Sequence, residues 1–245
     1  MKLSVITINY NNKDGLTKTI ESVVNQTCHE FEYIIIDGFS TDGSVDVIKA
    51  NADKITYWVS EKDTGIYNAM NKGTKVAHGD YCLFLNSGDV FLDNTVIERV
   101  LSCDLSADIV SGSIKYTDGR RAKAPTKVTM KTFIVGSLPH QATLIKRQLL
   151  SDNPYDERLG LCGDWRFFIQ TLIYKNVSYK SIPIVISLFD TSGISSTENK
   201  QSERRLYELK LCRDVIPLRI EEDYKFILFI EKWKWRLKKL LFFVH

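Results

Sequence analysis

The sequence has no Gly-x-Gly-x-x-Gly after its first apolar run and no Gly-x-x-x-x-Gly-Lys-Ser/Thr anywhere. A dinucleotide-dependent oxidoreductase and a P-loop enzyme therefore both lose the backbone cradle that would hold their phosphates. Cysteine is sparse, scattered and odd in number (Cys28, Cys82, Cys103, Cys162, Cys212), with no Cys-x-x-Cys pair. That pattern fits reduced thiols in the cytoplasm, not a zinc site or a disulfide framework. No apolar segment is long enough to span a bilayer. The run Ser4-Val5-Ile6-Thr7-Ile8 is too short for a signal segment and leads into Asn9-Tyr10-Asn11-Asn12 instead of a cleavage site. Internal repeats and low-complexity tracts are absent as well.

What is present is the composition of an ordinary globular chain: 245 residues, 44% hydrophobic and 26% charged. This suits one α/β domain with a small appendage. The net charge of +3 is uneven, because residues 224–245 carry six Lys/Arg against one Glu and leave the remainder at −2. No nucleic-acid partner is expected from basicity so localised. In that tail Phe226, Phe229, Ile230, Trp233, Leu237, Leu240, Leu241 and Val244 share one helical face, with Lys232, Lys234, Arg236, Lys238 and Lys239 on the flanks and back. A helix lying in an anionic membrane interface is built this way. Packing on the domain or in a homodimer is the alternative.

Along the chain, β-branched runs alternate with helical spacings. Leu3–Ile8 reads as a strand, Leu16, Ile20, Val23 and Val24 as one helix face with Asp14 or Thr17 as cap, Phe31–Ile36 as a strand ending at Asp37, Ser44–Ala50 as a helix, and Ile55–Val59 as a strand. Asp63-Thr64-Gly65-Ile66-Tyr67-Asn68-Ala69-Met70-Asn71-Lys72-Gly73 then supplies a loop and a helix, and Tyr81–Leu85 a strand buried on both faces. Four such alternations predict a parallel sheet with right-handed crossovers. Ligands of such sheets bind beyond the carboxyl ends of the strands. Asp37 at the second strand end is accordingly a candidate for a ribose hydroxyl pair or a cap for the next turn. Asn86-Ser87-Gly88-Asp89 overhangs the same crevice, and the Asp89 carboxylate suits a hard cation. Asp63 and Asp164 both stand where a helix cap alone would justify an acid, and Lys72 can answer phosphate charge or lie along a helix surface.

Val5–Asn11, Ser22–Thr27, Ile34–Ser44 and Phe84–Asp89, in this order, resemble the nucleotide-sugar half of a family 2 glycosyltransferase of GT-A fold over roughly residues 1–190, and Asp63–Gly73 resembles the bacterial branch that builds capsule, O-antigen and exopolysaccharide. The resemblance implies a Rossmann-like, mostly parallel sheet flanked by helices, with a C-terminal helical amphipathic tail. Residues 1–195 would be the GT-A domain, divided into a nucleotide-sugar half (1–100) and an acceptor half (101–195), with a helical extension at 196–245. The implied activity is inverting transfer of a sugar from a nucleoside diphosphate, taken to be UDP, to a lipid-linked oligosaccharide at the inner face of the cell membrane. A non-catalytic nucleotide-sugar-binding scaffold of the same fold is the alternative.

For individual residues, the resemblance implies that Thr7, Asn9 and Tyr10 meet the base, Asp37 the base or ribose, Asp63 the sugar or nucleotide hydroxyls or Lys72, and Lys72 the phosphates. Asn86, Ser87 and Gly88 would line the donor. The family's Asp-x-Asp motif keeps one carboxylate here, Asp89, as ligand for Mg²⁺ or Mn²⁺, with His140 in Leu138–Ile145 as a second ligand. Asp164, in the Gly163-Asp164 pair, would be the catalytic base, ahead of Asp156 and Glu157.

Overall fold

The computed structural model describes residues 2–189 together with Cys212, Phe226, Ile227, Phe229, Ile230, Lys232 and Trp233. By sequence, Asp190–Thr197 also reads as a turn-rich loop that closes over a donor or serves as a plain linker, and Glu203–Cys212 as a helix; both, apart from Cys212, and the rest of the tail lie outside the described residues. In chain order the elements are β1 (Leu3–Asn9), α1 (Lys13–Val24), β2 (Phe31–Asp37), α2 (Ser44–Ala50), β3 (Tyr57–Ser60), α3 (Ile66–Val76), β4 (Tyr81–Phe84), β5 (Val90–Phe91), α4 (Val96–Leu101), β6 (Ile109–Tyr116), β7 (Arg121–Ala122), α5 (Met130–Val135), β8 (Thr143–Lys146), α6 (Arg147–Asp152), α7 (Gly163–Phe168) and β9 (Tyr179–Phe189). They build one mixed sheet in the order β3-β2-β1-β4-β8-β6-β9-β5, with β7 paired to β6. The strands β1 to β4 are mutually parallel, as the alternating pattern predicts, while β8 runs antiparallel to both β4 and β6. This is the GT-A architecture, a curled, mostly parallel sheet flanked by helices.

Successive side chains of a strand point to opposite faces, and both faces here are apolar. Leu3 and Val5 of β1 and Leu83 of β4 join Leu16, Ile20 and Val23 of α1 on one side. Ile6, Ile8, Cys82 and Phe84 join Met70 of α3 and Trp165 and Phe168 of α7 on the other. Each fully buried aliphatic or aromatic side chain contributes about 1.5–3 kcal/mol. Gly73 sets the depth of α3 on the sheet, since a Cβ there would lie 2.5 Å from Ile6 Cγ2. Cys82 is plain core, fully buried, with burial pushing its thiol up to about 12.

Two carboxylates fasten the sheet away from the crevice. Glu32 on β2 is 2% exposed and accepts from Ser4 Oγ (2.6 Å) and the backbone N–H groups of His78 and Gly79, which ties β1, β2 and the entry to β4 together. Burial opposes its charge, but these donors prevail and hold its carboxyl below the usual range. Asp108, just before β6, accepts from Lys146 Nζ (2.9 Å) and from Ser178 N and Oγ (2.9 and 2.6 Å), joining β6, β8 and β9 at one end.

The helix starts differ from expectation. Asn12 caps α1, with its Oδ1 accepting from Gly15 N at 3.2 Å, and neither Asp14 nor Thr17 does so. Gly65 stands at the cap position of α3 and Cys162 at that of α7, neither with a side-chain cap bond, so Asp63 and Asp164 are not N-caps.

Candidate active site

The carboxyl ends of β1, β2 and β3 converge on Asp37. It is fully buried, and its Oδ1 accepts from Asn9 Nδ2 (2.8 Å) and Ser40 Oγ (2.6 Å), its Oδ2 from Ser40 N (3.0 Å) and Ser60 Oγ (2.6 Å). The loops that follow β1 and β2 are stitched in turn by Asn11 N to Ser40 Oγ and Thr41 N to Asn11 Oδ1, both 2.8 Å. Tyr10 and Phe39 project from these loops and are 65% and 55% exposed. Thr7 does not reach the crevice with its side chain. It is fully buried, and its hydroxyl donates to Leu85 O at 2.8 Å.

The tip after β4 is held from α1. Thr19 Oγ1 donates to Asp89 O (2.8 Å) and accepts from Gly88 N (2.9 Å), and Asn12 Nδ2 donates to Ser87 O (3.0 Å). Gly88 has φ +105°, which closes the turn and favours glycine. Asn86 Oδ1 is buried with no hydrogen-bond partner among the described residues. Across the crevice, Asp63 Oδ1 accepts from Gly65 N at 3.0 Å. Burial raises its carboxyl above the usual value against the pull of the Gly65 amide and Lys72. Lys72 pairs with Glu61 (2.7 Å) and donates to Lys62 O (2.9 Å), so its ammonium is held at the loop before α3.

Asp164 opens α7, is partly exposed, and accepts at Oδ1 from Tyr67 OH, 3.0 Å away. Behind it, Tyr155 OH meets His140 Nε2 at 2.8 Å, and the imidazole stacks on Phe84 with centroids 5.1 Å apart. Burial lowers the His140 pKa from its ordinary value, although Asp164 pulls the other way. The other two candidate bases are committed. Asp156 pairs with Arg158 at 2.6 Å, and Glu157 accepts from Asn68 (2.8 Å) and Asn71 (2.9 Å). Both are held below the usual carboxylate range by those partners. A separate cavity of about 610 Å³ lies between α3, the loop at 154–158 and α7, and neither Asp164 nor the 86–89 tip lines it.

Residues 4–175 match the model of the family described as Glycosyl transferase family 2. The chain belongs to this family. Like other members it has curated relatives named glycosyltransferases. One, an uncharacterised glycosyltransferase of Mycobacterium tuberculosis, is 33% identical over 204 residues, 79% of this chain and 77% of that protein. Another, a PGL/p-HBAD biosynthesis glycosyltransferase of Mycobacterium bovis, is 25% identical over 190 residues, 74% of each. Among solved structures, S. aureus TarS 1–349 in complex with UDP shares the fold at TM-score 0.66 and 22% identity, over 78% of this chain and 60% of that one. The chain spans 37% of the longer TarS structure. A mannosyltransferase from Pyrobaculum calidifontis in complex with GDP-Man and Mn²⁺ aligns at TM-score 0.63 and 14% identity, over 83% of this chain and 60% of that one.

In this glycosyltransferase the candidate residues fall in two groups, one around Asp37 and the tip after β4, the other at Asp164, which is bonded to Tyr67 of α3. Among the described residues no three His, Cys, Asp or Glu side chains cluster to hold a metal, and His140 gives its Nε2 to Tyr155 without joining Asp89 in such a group. At the tip, Asp89 stands three residues from Asn86, whose Oδ1 is buried with no partner among the described residues. That set fits an ion such as Mg²⁺, which takes one or two protein carboxylates and completes its shell with substrate phosphates and water. Sequence reasoning missed Ser40, Ser60 and Tyr67. Ser40 follows β2 and Ser60 ends β3, both beside Asp37, and were detectable as short hydroxyls at strand ends, whereas the partner of Tyr67 is 97 residues away.

Proposed function

We propose that this family 2 glycosyltransferase is an inverting enzyme that moves one sugar from a UDP-sugar to a lipid-linked oligosaccharide acceptor in bacterial surface-polysaccharide synthesis. The observation that carries the chemistry is the partly exposed Asp164, held among the described residues by a single neutral hydroxyl while Asp156 and Glu157 are engaged by Arg158 and two asparagines. The acceptor oxygen attacks the anomeric carbon, its proton passes to the Asp164 carboxylate, and the anomeric carbon–phosphate oxygen bond breaks with its electron pair leaving on the diphosphate. Tyr10 and Asn9 meet the base and Asp37 holds the loops that shape the ribose site. Asp63 takes donor hydroxyls, with Lys72 on the phosphate side and Asn86, Ser87 and Gly88 along the donor. A Mg²⁺ or Mn²⁺ ion on Asp89 would neutralise charge developing on the diphosphate.

Nucleotide-sugar use is supported by solved neighbours in complex with UDP, UDP-GlcNAc and GDP-Man. No helix among the described residues is long and apolar enough to cross a membrane. Attachment at the inner face of the membrane therefore rests on the tail, where Phe226, Phe229 and Trp233 are 62%, 58% and 50% exposed. The acidic motif reduced to one carboxylate, Asp89 in Asn86-Ser87-Gly88-Asp89, is the observation behind the second reading, a non-catalytic nucleotide-sugar-binding scaffold. A panel of labelled donors with membrane lipid extract as acceptor separates the two. Labelled glycolipid supports the enzyme, and nucleotide binding without transfer or donor hydrolysis supports the scaffold. Within the enzyme reading, Asp164→Asn preserves size and accepts the same Tyr67 bond, so kcat falls by about two to four orders of magnitude with donor KM unchanged. Near-normal turnover would remove Asp164 as the base.

A further inference from the structure

We infer that Tyr67 is a positioning residue for the proton-accepting carboxylate, fixing one oxygen of Asp164 so that the other is presented to the acceptor, and that Gly163 lacks a side chain to make room for it. This rests on the reading of Asp164 as the base. Tyr67 stands in the first turn of α3 and is 4% exposed, so its hydroxyl needs a partner inside the protein. That partner is Asp164 Oδ1 at 3.0 Å.

The ring has no other place to go. A Cβ at Gly163 would lie 2.6–2.8 Å from Cε2, Cζ and Cδ2 of Tyr67, so the ring rests on the first turn of α7. It also packs on Tyr155, 5.4 Å between centroids, and Tyr155 is hydrogen-bonded to His140. His140 stacks on Phe84, the last residue of β4. These contacts link the end of β4 to the carboxylate on α7. A carboxylate on a free rotor would sample three staggered wells. One charge-assisted bond from a rigid ring selects one of them.

The test is a double-mutant cycle on the full chain, read as transfer rate with saturating UDP-sugar and lipid-extract acceptor, alongside UDP binding and thermal melting. Tyr67→Phe removes only the hydroxyl. It should lower kcat about tenfold while donor KM stays within twofold, and in the Asp164→Asn background it should cost nothing further, because Tyr67 acts through the proton acceptor. Tyr179→Phe, which loses a hydroxyl bonded to Pro125 O elsewhere in the fold, is the control with turnover unchanged. Turnover within twofold for Tyr67→Phe, or an equal loss in both backgrounds, overturns the inference while leaving the base intact. Substantial turnover in Asp164→Asn alone overturns the reading beneath it. If Tyr67→Phe melts below the assay temperature, Gly163→Ala carries the question, since it displaces the ring and keeps every hydroxyl. A kcat loss then supports the inference and an unchanged rate overturns it.

Discussion

Asp37 offers a quantitative test of whether a strand-end acid binds the ligand or the protein. Replacing it with Ala leaves Ser40 N without an acceptor and Asn9 Nδ2 with only Ser40 Oγ, 3.2 Å away, while the hydroxyls of Ser40 and Ser60 can turn elsewhere. An orphaned donor costs about 1–3 kcal/mol, so Asp37→Ala should lose about 1–3 kcal/mol. That is a sizeable part of the ~5–15 kcal/mol that holds a domain together. In a domain of this size, melting should fall by about 2–12 °C. Asp37→Asn is expected to behave differently. Its amide nitrogen needs an acceptor, and Asn9 carries a buried Oδ1 with no partner. Turning the Asn9 amide over presents that oxygen, so the cost should drop to about 1 kcal/mol. Urea unfolding of the three proteins, paired with UDP titration, reads both quantities. Asp37→Ala unfolding at the wild-type midpoint with lost UDP affinity would refute the reasoning and leave Asp37 as a ligand contact only.

Asp89→Ala should abolish transfer and weaken nucleotide binding, and full wild-type activity in excess chelator would count against a metal at that tip. Deleting residues 224–245 should release the protein from anionic vesicles with UDP binding retained; equal flotation of the truncated and full-length chains would exclude the tail as the anchor. Lys146 and Ser178 hold the Asp108 carboxyl down to about 2 against an ordinary 3.8. Its contribution is therefore complete above about pH 4 and lost as the pH falls toward 2, and partial exposure limits it to about 1 kcal/mol. Asp108→Asn should lower the neutral-pH melting temperature and flatten that part of the acid limb in a pH series of melts; parallel wild-type and variant curves would contradict it.

The parts of the fold written in local periodicity were legible. β1, β2 and β4 carry continuous β-branched or apolar runs because both faces are covered, and α1 and α3 carry apolar positions at helical spacing. Boundaries shifted where a single side chain decided them, as when Asn12 and not Asp14 capped α1. β8 escaped notice because Thr143–Lys146 is four residues long and continues a segment read for His140. At the site, residue types at strand ends identified Asp37 and Asp89, but they do not reveal where a carboxylate spends its oxygens. Asp37 turned out to bind four protein donors. Asp164 could be read as a helix cap or as the base until the helix proved to begin at Gly163, which removes the cap reading, and its bond to Tyr67 joins residues with no local relation in sequence.

The order of the strands also governs how the chain can be made. β1 meets β2 after 28 residues, Leu3 opposite Phe31, so this part of the sheet can close early in synthesis. β6 waits longer: its partner β8 arrives 36 residues later, Ile109 opposite Ile145, and β9 only after 70, Ile109 opposite Tyr179. At about 5–20 residues per second, one edge of the eight-residue β6 stays unpaired for roughly 4–14 s on the ribosome. An open edge of that kind is a template for pairing with another chain. The nascent protein is thus most exposed to aggregation while its nucleotide half is already formed, and a chaperone that shields a strand edge has its greatest effect between synthesis of residues 116 and 189.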